Sequence, residues 1–457
     1  MDIIRGAVVV EYWLVGLIIT IVFICVIIAI ILEKNRALVS LIGAFFVLLI
    51  VYIWSASIPQ TIHINFAEFI SENLKILILI IGLMLIVEVF IESGVFEYMA
   101  LKMIKVTKGS PYKLFVMFLI LTFLMSTIIE NVGAILIIVP LTITTLSILR
   151  LEKTLPFFII GEQLSTEASG IVLPISSIPN IIISTELGFR FIDFLLFTAP
   201  FAVMVLFFLL FFMKKMYLDK KNRLEEPPNN LKQVINQLDE GSVIIDKNFF
   251  SVSIIILFAL IVLILIFQEF AHVVVMICVL FLLVFSKLEV EHILKKVDWN
   301  TVLFLVGLFI IIDTMKALGI LNFIGTFIYF ISGGNILIAS LLTLWLCGTT
   351  SGVVDNIPIT LTLTEPIHSL FGTLKGTDLQ IAMQEKLMST SLIIGASLGG
   401  CFTPIGSPSG VLMLQIAKEK QVKGLDFKLY FKIGFIATFI NFLMATLYIF
   451  ILGIFII

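Results

Sequence analysis

The sequence predicts an all-α polytopic membrane protein made of two inverted-topology repeats. It predicts about ten crossing segments, two re-entrant hairpins, and helices broken at the bilayer midplane. Three observations predict this. Hydrophobic residues make up 60% of the 457 residues and charged residues 13%, with a mean hydropathy of +1.19, against the roughly 25% charge of soluble domains. Long apolar segments recur along the whole chain. The two halves also align on each other at matching Gly, Ser, Asn and acidic positions. A net charge of −2 gives no reason to expect a nucleic acid partner. Cys25, Cys278, Cys347 and Cys401 lack pairing or metal-ligand spacing, so neither a disulfide framework nor a bound metal or cofactor is expected.

Crossings fall at 12–32, 37–54, 74–92, 191–213, 249–267, 271–286, 300–316 and 430–455, where about 20 apolar residues can span the hydrocarbon. Residues 12–32 are longer than a signal-peptide core, and no small-residue cleavage site follows, so a retained first helix is expected. Residues 112–149 and 337–370 are too long for one crossing, and each carries an acid followed by Asn near its middle. Residues 155–187 and 387–418 are interrupted by Gly, Ser and Pro instead, which predicts broken helices.

Residues 82–131 align with 307–356 without a gap, at an offset of 225. Gly82 meets Gly307, Gly94 meets Gly319, Ser126 meets Ser351, Glu88 meets Asp313, Glu130 meets Asp355 and Asn131 meets Asn356. The stretches "GIVLPISSIPN" (170–180) and "GCFTPIGSPSG" (400–410) align at an offset of 230, the difference absorbed by the polar loop 371–386. An internal duplication follows: a first repeat over 1–213 (hairpin 112–149, broken helix 155–187), a cytoplasmic linker over 214–248, and a second repeat over 249–457 (hairpin 337–370, broken helix 387–418).

Lys and Arg placement gives the orientation. Lys34 and Arg36, the cluster Lys102 to Lys113, the linker, Lys287, Lys295, Lys296, and Lys418 to Lys423 mark the inside, while 56–73, 268–272 and 317–336 hold no Lys or Arg. Arg150 and Lys153 return to the side on which Lys113 began, so 112–149 reads as a hairpin entering from the cytoplasm and 337–370 as one entering from outside. Five crossings per half is an odd number, which forces the halves to insert oppositely.

Both hairpin tips and both broken helices would then converge on one cavity, where unwound backbone is tolerated and helix N-termini offer partial positive charge. A carboxylate in the hydrocarbon costs roughly 3 kcal/mol or more, which argues for use of Glu130 and Asp355, although acids also cap helix N-termini for purely structural reasons. Asn131 and Asn356 are the adjoining amides. Glu167 stands among small polar residues on the first broken helix. Ser177, Asn180, Thr403, Ser407 and Ser409 lie in the broken stretches, where turn chemistry alone could also account for them. Glu88 and Asp313 are candidates for a proton relay, or for simple interhelical hydrogen bonding.

The stretches "ENVGAILIIVP", "DNIPITLTLTEP", "SGIVLPISSIPN" and "GGCFTPIGSPSG" resemble the hairpin and broken-helix motifs of the ion transporter superfamily. The resemblance is to its arsenite-pump, sodium/proton-antiporter and melanosomal P-protein branch, which has a citrate transporter-like domain, and it covers nearly the whole chain. This sequence departs from the usual pattern at Glu130, Glu167, Ser177 and Cys401. The resemblance implies an elevator-like secondary transporter, and a homodimer by analogy. An acidic cavity without Lys or Arg points to proton-coupled cation exchange of the sodium/proton type, with H+ or Na+ as coupling ion. Arsenite or antimonite efflux is the main alternative, followed by di- or tricarboxylate transport, with a non-transporting membrane scaffold as the reading from another class. The expected partners are a small inorganic ion or solute and membrane lipid, in the cell's plasma membrane. No protease motif occurs, so an enzyme is not expected.

Overall fold

The computed structural model describes residues 2–32, 35–55, 66–108, 110–215, 241, 244, 246–286 and 288–456. Most of the linker, together with Lys34, Lys287 and the loop 56–65, lies outside the described residues. Among those described, the chain is helical throughout and contains no strand.

The elements recur in the same order in each half. An opening pair, Asp2–Ile31 and Arg36–Ser55, corresponds to Lys247–Ile266 and Ala271–Ser286. Phe66–Glu92 corresponds to Trp299–Ala317. Next come the short amphipathic helices Val95–Thr107 and Asn322–Ser332, in stretches expected to be plain loops. The first hairpin follows as Pro111–Ile128 and Asn131–Ile148, and the second as Ile336–Ser351 and Asn356–Phe371. The broken helices are Leu155–Ser169 with Ile178–Glu186, and Asp378–Gly399 with Pro408–Glu419. Each half closes on a long apolar helix, ending at Met213 and Ile456 respectively.

Local sequence sets these boundaries. Asp246, Asp298 and Asn335 each accept two backbone N–H bonds at the start of a helix, satisfying donors that have no partner within the helix. Thr377 and Gln380 form a capping box at the start of Asp378–Gly399. Pro140 and Pro366 fall inside the second legs of the two hairpins, where each removes a backbone hydrogen bond and bends the helix.

Packing between the halves is reciprocal. Arg36–Ser55 lies along Trp299–Ala317, while Phe66–Glu92 lies along Ala271–Ser286. Asn131–Ile148 meets Pro408–Glu419, while Asn356–Phe371 meets Ile178–Glu186. Each contact thus recurs with the roles of the two halves exchanged. The helices Arg36–Ser55, Phe66–Glu92, Ala271–Ser286 and Trp299–Ala317, with Asp2–Ile31 and Lys247–Ile266 packed against them, form an outer layer. The hairpins, broken helices and closing helices form the other.

Ten helices among the described residues are long and apolar enough to cross a membrane, so this is an integral membrane protein. They are not the same ten segments expected from sequence. Both legs of the first hairpin are included and both broken helices are left out. Each of those legs is 18 residues long, about 27 Å at 1.5 Å per residue. Leu155–Ser169 and Ile178–Glu186 are only 15 and 9 residues, and Asp378–Gly399 carries Asp378, Glu385 and Lys386 in its first turns. The first helix also starts earlier than expected, at Asp2, and the second broken helix at Asp378.

Helices meet through small residues, as is common between apolar helices. A Cβ on Gly399 would stand 2.5 Å from the Gly348 carbonyl oxygen and 2.7 Å from Ser351 Cβ. A Cβ on Gly372 would have nothing nearer than 3.6 Å. Gly399→Val is therefore expected to lower stability by ~1–3 kcal/mol through overpacking, with Gly372→Ala within ~1 kcal/mol of wild type. Thermal unfolding of the purified protein in detergent measures both.

Candidate functional site

Four helix N-termini converge on one small cavity. Its walls are Glu130, Asn131, Val132, Glu167, Ser177, Ile178, Pro179, Asn356, Ile357, Ser407, Pro408 and Ser409. Glu130, Ser177, Asp355 and Ser407 are the N-cap residues of Asn131–Ile148, Ile178–Glu186, Asn356–Phe371 and Pro408–Glu419. Sequence spacing placed these residues at hairpin tips and breaks, and the fold brings them to one point. The cavity volume is about 10 Å³, near the least that holds one water.

Glu167 is the hub. Its side chain is fully buried and accepts hydrogen bonds from three elements. Asn131 Nδ2, at the first hairpin tip, donates to Oε2 at 3.2 Å. Gln163 Nε2, one helical turn earlier, donates to Oε1 at 3.1 Å. Ser409 Oγ, from the second broken helix, donates to the same oxygen at 2.6 Å. Ser407 and Ser409 hydroxyls lie 3.1 Å apart, and Gln163 Nε2 is 2.9 Å from Ser409 Oγ. Behind the tip, Ser126 Oγ donates to Asn131 Oδ1 at 2.8 Å. Among the described residues no Lys or Arg forms an ion pair with Glu167. Burying such a carboxylate in its charged form is costly unless a cation lies beside it.

The two hairpin tips differ. Glu130, half-buried, accepts a bond from Val132 N at 3.0 Å and faces the cavity. Its counterpart Asp355 accepts from Ile357 N at 3.1 Å, and its second oxygen takes Arg36 Nη1 at 2.7 Å. Asp355 is 2% exposed and is not part of the cavity wall, although Asn356 beside it is. The cavity wall contains no Lys or Arg, and the Arg36 guanidinium is held on Asp355, next in sequence to the wall residue Asn356. Arg36 was expected only as a cytoplasmic marker.

Several predicted residues build the breaks. Asn180 Nδ2 donates to the carbonyls of Gly170 and Leu173, and Ser177 Oγ to that of Gly170. Thr403 Oγ1 donates to Gly352 O at 2.8 Å, tying the second break to its hairpin. Four amide oxygens among the described residues, on Gln163, Asn180, Asn356 and Asn441, are buried without a hydrogen-bond partner, and of these residues Asn356 lines the cavity. They are acceptors of the kind a small cation coordinates.

Glu88 and Asp313 do not reach this cavity. Glu88 lies 3.8 Å from Lys296, which also pairs with Glu92. Asp313 accepts from Asn73 Nδ2 at 2.7 Å, close to Lys316, which pairs with Glu186 at 3.3 Å and Glu365 at 3.0 Å. Both acids thus belong to charged clusters elsewhere in the bundle. Sequence reading missed Gln163, whose i,i+4 spacing from Glu167 was a usable signal. It also missed Glu162, fully buried with Oε1 accepting from Thr142 Oγ1 at 2.5 Å and Oε2 unpartnered.

A membrane bundle whose two halves meet in paired broken helices around a buried polar site has the architecture of a secondary transporter. The citrate transporter (CitMHS) family matches residues 23–385. The chain belongs to this family, within the ion transporter superfamily. A protein of Mycobacterium tuberculosis, described as an uncharacterized transporter, is 27% identical over 417 residues, covering 91% of this chain and 93% of that one. The P protein of Homo sapiens is 25% identical over 439 residues, covering 79% of this chain. The chain matches only 51% of the P protein's length. Among solved structures, the YdaH transporter of Alcanivorax borkumensis, described as having an unusual topology, superposes with a TM-score of 0.52 at 14% identity, covering 87% of each chain. That likeness concerns the fold.

Replacing Glu167 by Leu would leave the donors of Asn131, Gln163 and Ser409 facing an apolar group. Each unmade buried bond costs about 1–3 kcal/mol. Glu167→Leu is therefore expected to be clearly less stable than Glu167→Gln, whose carbonyl still accepts. Thermal melts of the two variants in one detergent test this.

Proposed function

We propose that the protein exchanges protons for a small cation of the sodium type across the plasma membrane, with Glu167 and Glu130 as the exchanging carboxylates. One observation carries this reading. Glu167 is fully buried, hydrogen-bonded from three elements and without a cationic partner among the described residues, at a cavity with room for little more than one water. A carboxylate so placed carries either a proton or a cation, and the two exclude each other. That exclusion is the simplest exchange mechanism. The unpartnered amide oxygens nearby supply further ligands for a dehydrated ion.

In this proposal the two halves insert oppositely, the tips lie near the bilayer midplane, and the layer of hairpins and broken helices moves against the outer one. The reciprocal packing of the halves supports it. A second reading, transport of a carboxylate such as citrate, is favoured by the family's description, by Arg36 on Asp355 and by four helix N-termini bordering the cavity. It requires the cavity to open far beyond its present volume.

Purified protein in liposomes containing a pH-sensitive dye, challenged in turn with sodium, lithium, arsenite and citrate, separates these readings. Sodium or lithium is expected to drive saturable proton efflux. Glu167→Gln and Glu130→Gln are each expected to reduce it at least tenfold. Proton movement with citrate alone would overturn the cation reading.

A further inference from the structure

We propose that Arg36 is a built-in competitor for the transported cation, and that its displacement from Asp355 releases the second hairpin from the outer helix layer. This rests on the cation reading above.

Both oxygens of Asp355 are occupied. One accepts the backbone N–H of Ile357 at 3.1 Å, as the cap of Asn356–Phe371, and the other holds Arg36 Nη1 at 2.7 Å. A cation arriving beside Asn356 that takes Asp355 as a ligand competes with the guanidinium for it. Two positive charges on one carboxylate oxygen would repel each other in a region of low dielectric. The exchange conserves charge, so Asp355 never stands buried and uncompensated, the state that makes breaking a buried ion pair expensive. The departing group has somewhere to go, since the Arg36 side chain is 28% exposed while that of Asp355 is 1% exposed.

Position gives the exchange a mechanical consequence. Arg36 is the first residue of Arg36–Ser55, which packs along Trp299–Ala317 in the outer layer. Asp355 stands at the tip of a hairpin in the other layer. Their ion pair therefore joins the two layers, and whatever replaces Arg36 on Asp355 weakens that joint. Glu130, the equivalent residue in the first repeat, faces the cavity without such a cation among the described residues. Among the described residues only one tip is held in this way. A ligand that binds after the latch opens shifts the equilibrium toward the open state by its differential affinity for it.

The test is ion-dependent thermal stabilisation of the purified full chain in detergent. Sodium or lithium chloride is titrated against choline chloride at constant ionic strength, for wild type, Arg36→Lys, Arg36→Gln and Asp355→Asn. Removing the competitor is expected to lower the half-saturating sodium concentration at least tenfold in Arg36→Gln. Arg36→Lys should shift it in the same direction by a smaller factor. Asp355→Asn should bind sodium more weakly than wild type. If Arg36→Gln is too unstable to measure, the comparison of Arg36→Lys with wild type decides. Stabilisation by sodium with the same half-saturation in wild type and the Arg36 variants would overturn the role of Arg36 and leave the cation reading standing. No response to sodium, lithium or pH in any variant would overturn the cation reading itself.

Discussion

The fold is organised around a fully buried carboxylate, Glu167, that forms no ion pair with a Lys or Arg among the described residues. Glu167 lies inside a helix that ends two residues later, at Ser169. Such a group is tolerated only where the surroundings supply polar contacts and where its charge is balanced. The break at 170–177 supplies unwound backbone, the second break brings Ser407 and Ser409, and the first hairpin brings Asn131. Four helix N-termini bordering the cavity add partial positive charge. Irregular backbone exposed to lipid would be prohibitive. Here it is covered by protein, and it lines the one place where polar groups are needed.

The two halves build this surrounding with matching contacts at its edge and different residues at its centre. The Ser126 hydroxyl reaches the Thr166 carbonyl at 3.4 Å, and its counterpart Ser351 reaches the Ala396 carbonyl at 2.8 Å. The same clasp thus holds the first leg of each hairpin to its broken helix. At the centre the equivalence stops. Glu167 corresponds to Ser397, whose hydroxyl donates to the Glu167 backbone carbonyl at 3.3 Å. One repeat supplies the acid and the other supplies hydroxyls to it. A symmetric pair of acids would place two like charges within a few ångströms, which is unfavourable unless one is neutralised. The tips follow the same logic, with Arg36 on Asp355 and, among the described residues, no such partner on Glu130.

Much of this was legible in the sequence. Glycines, serines and acid-amide pairs recurring at offsets of 225 and 230 placed the hairpin tips and the breaks, because a polar residue in an apolar run is expensive and therefore informative. Three features were hidden for physical reasons. Arg36 and Asp355 are 319 residues apart, and a basic residue at a helix start is also what a cytoplasmic loop looks like. Gln163 and Glu162 have the apolar counterparts Ile393 and Leu392 at an offset of 230, so aligning the halves passed over them. The short helices Val95–Thr107 and Asn322–Ser332 are amphipathic but below spanning length, and hydropathy alone gives no sign of them.

The buried and half-buried acids fall into two groups by their partners. Glu88, Asp313, Glu186, Glu365 and Asp355 each lie against a cation or an amide that fixes their geometry. Glu130 and Glu167 face the cavity with, among the described residues, only neutral donors. An acid already matched by a fixed charge gains little from binding another ion, because the guest must first displace the host. An acid satisfied only by dipoles still lacks a full positive charge, and a proton or a small cation supplies it. Glu162 shares the burial of Glu167 but meets only Thr142 and is not part of the cavity wall. Burial therefore does not by itself make an ion site. What distinguishes Glu167 is the combination of burial, neutral donors from both repeats and an opening onto the space between the hairpin tips.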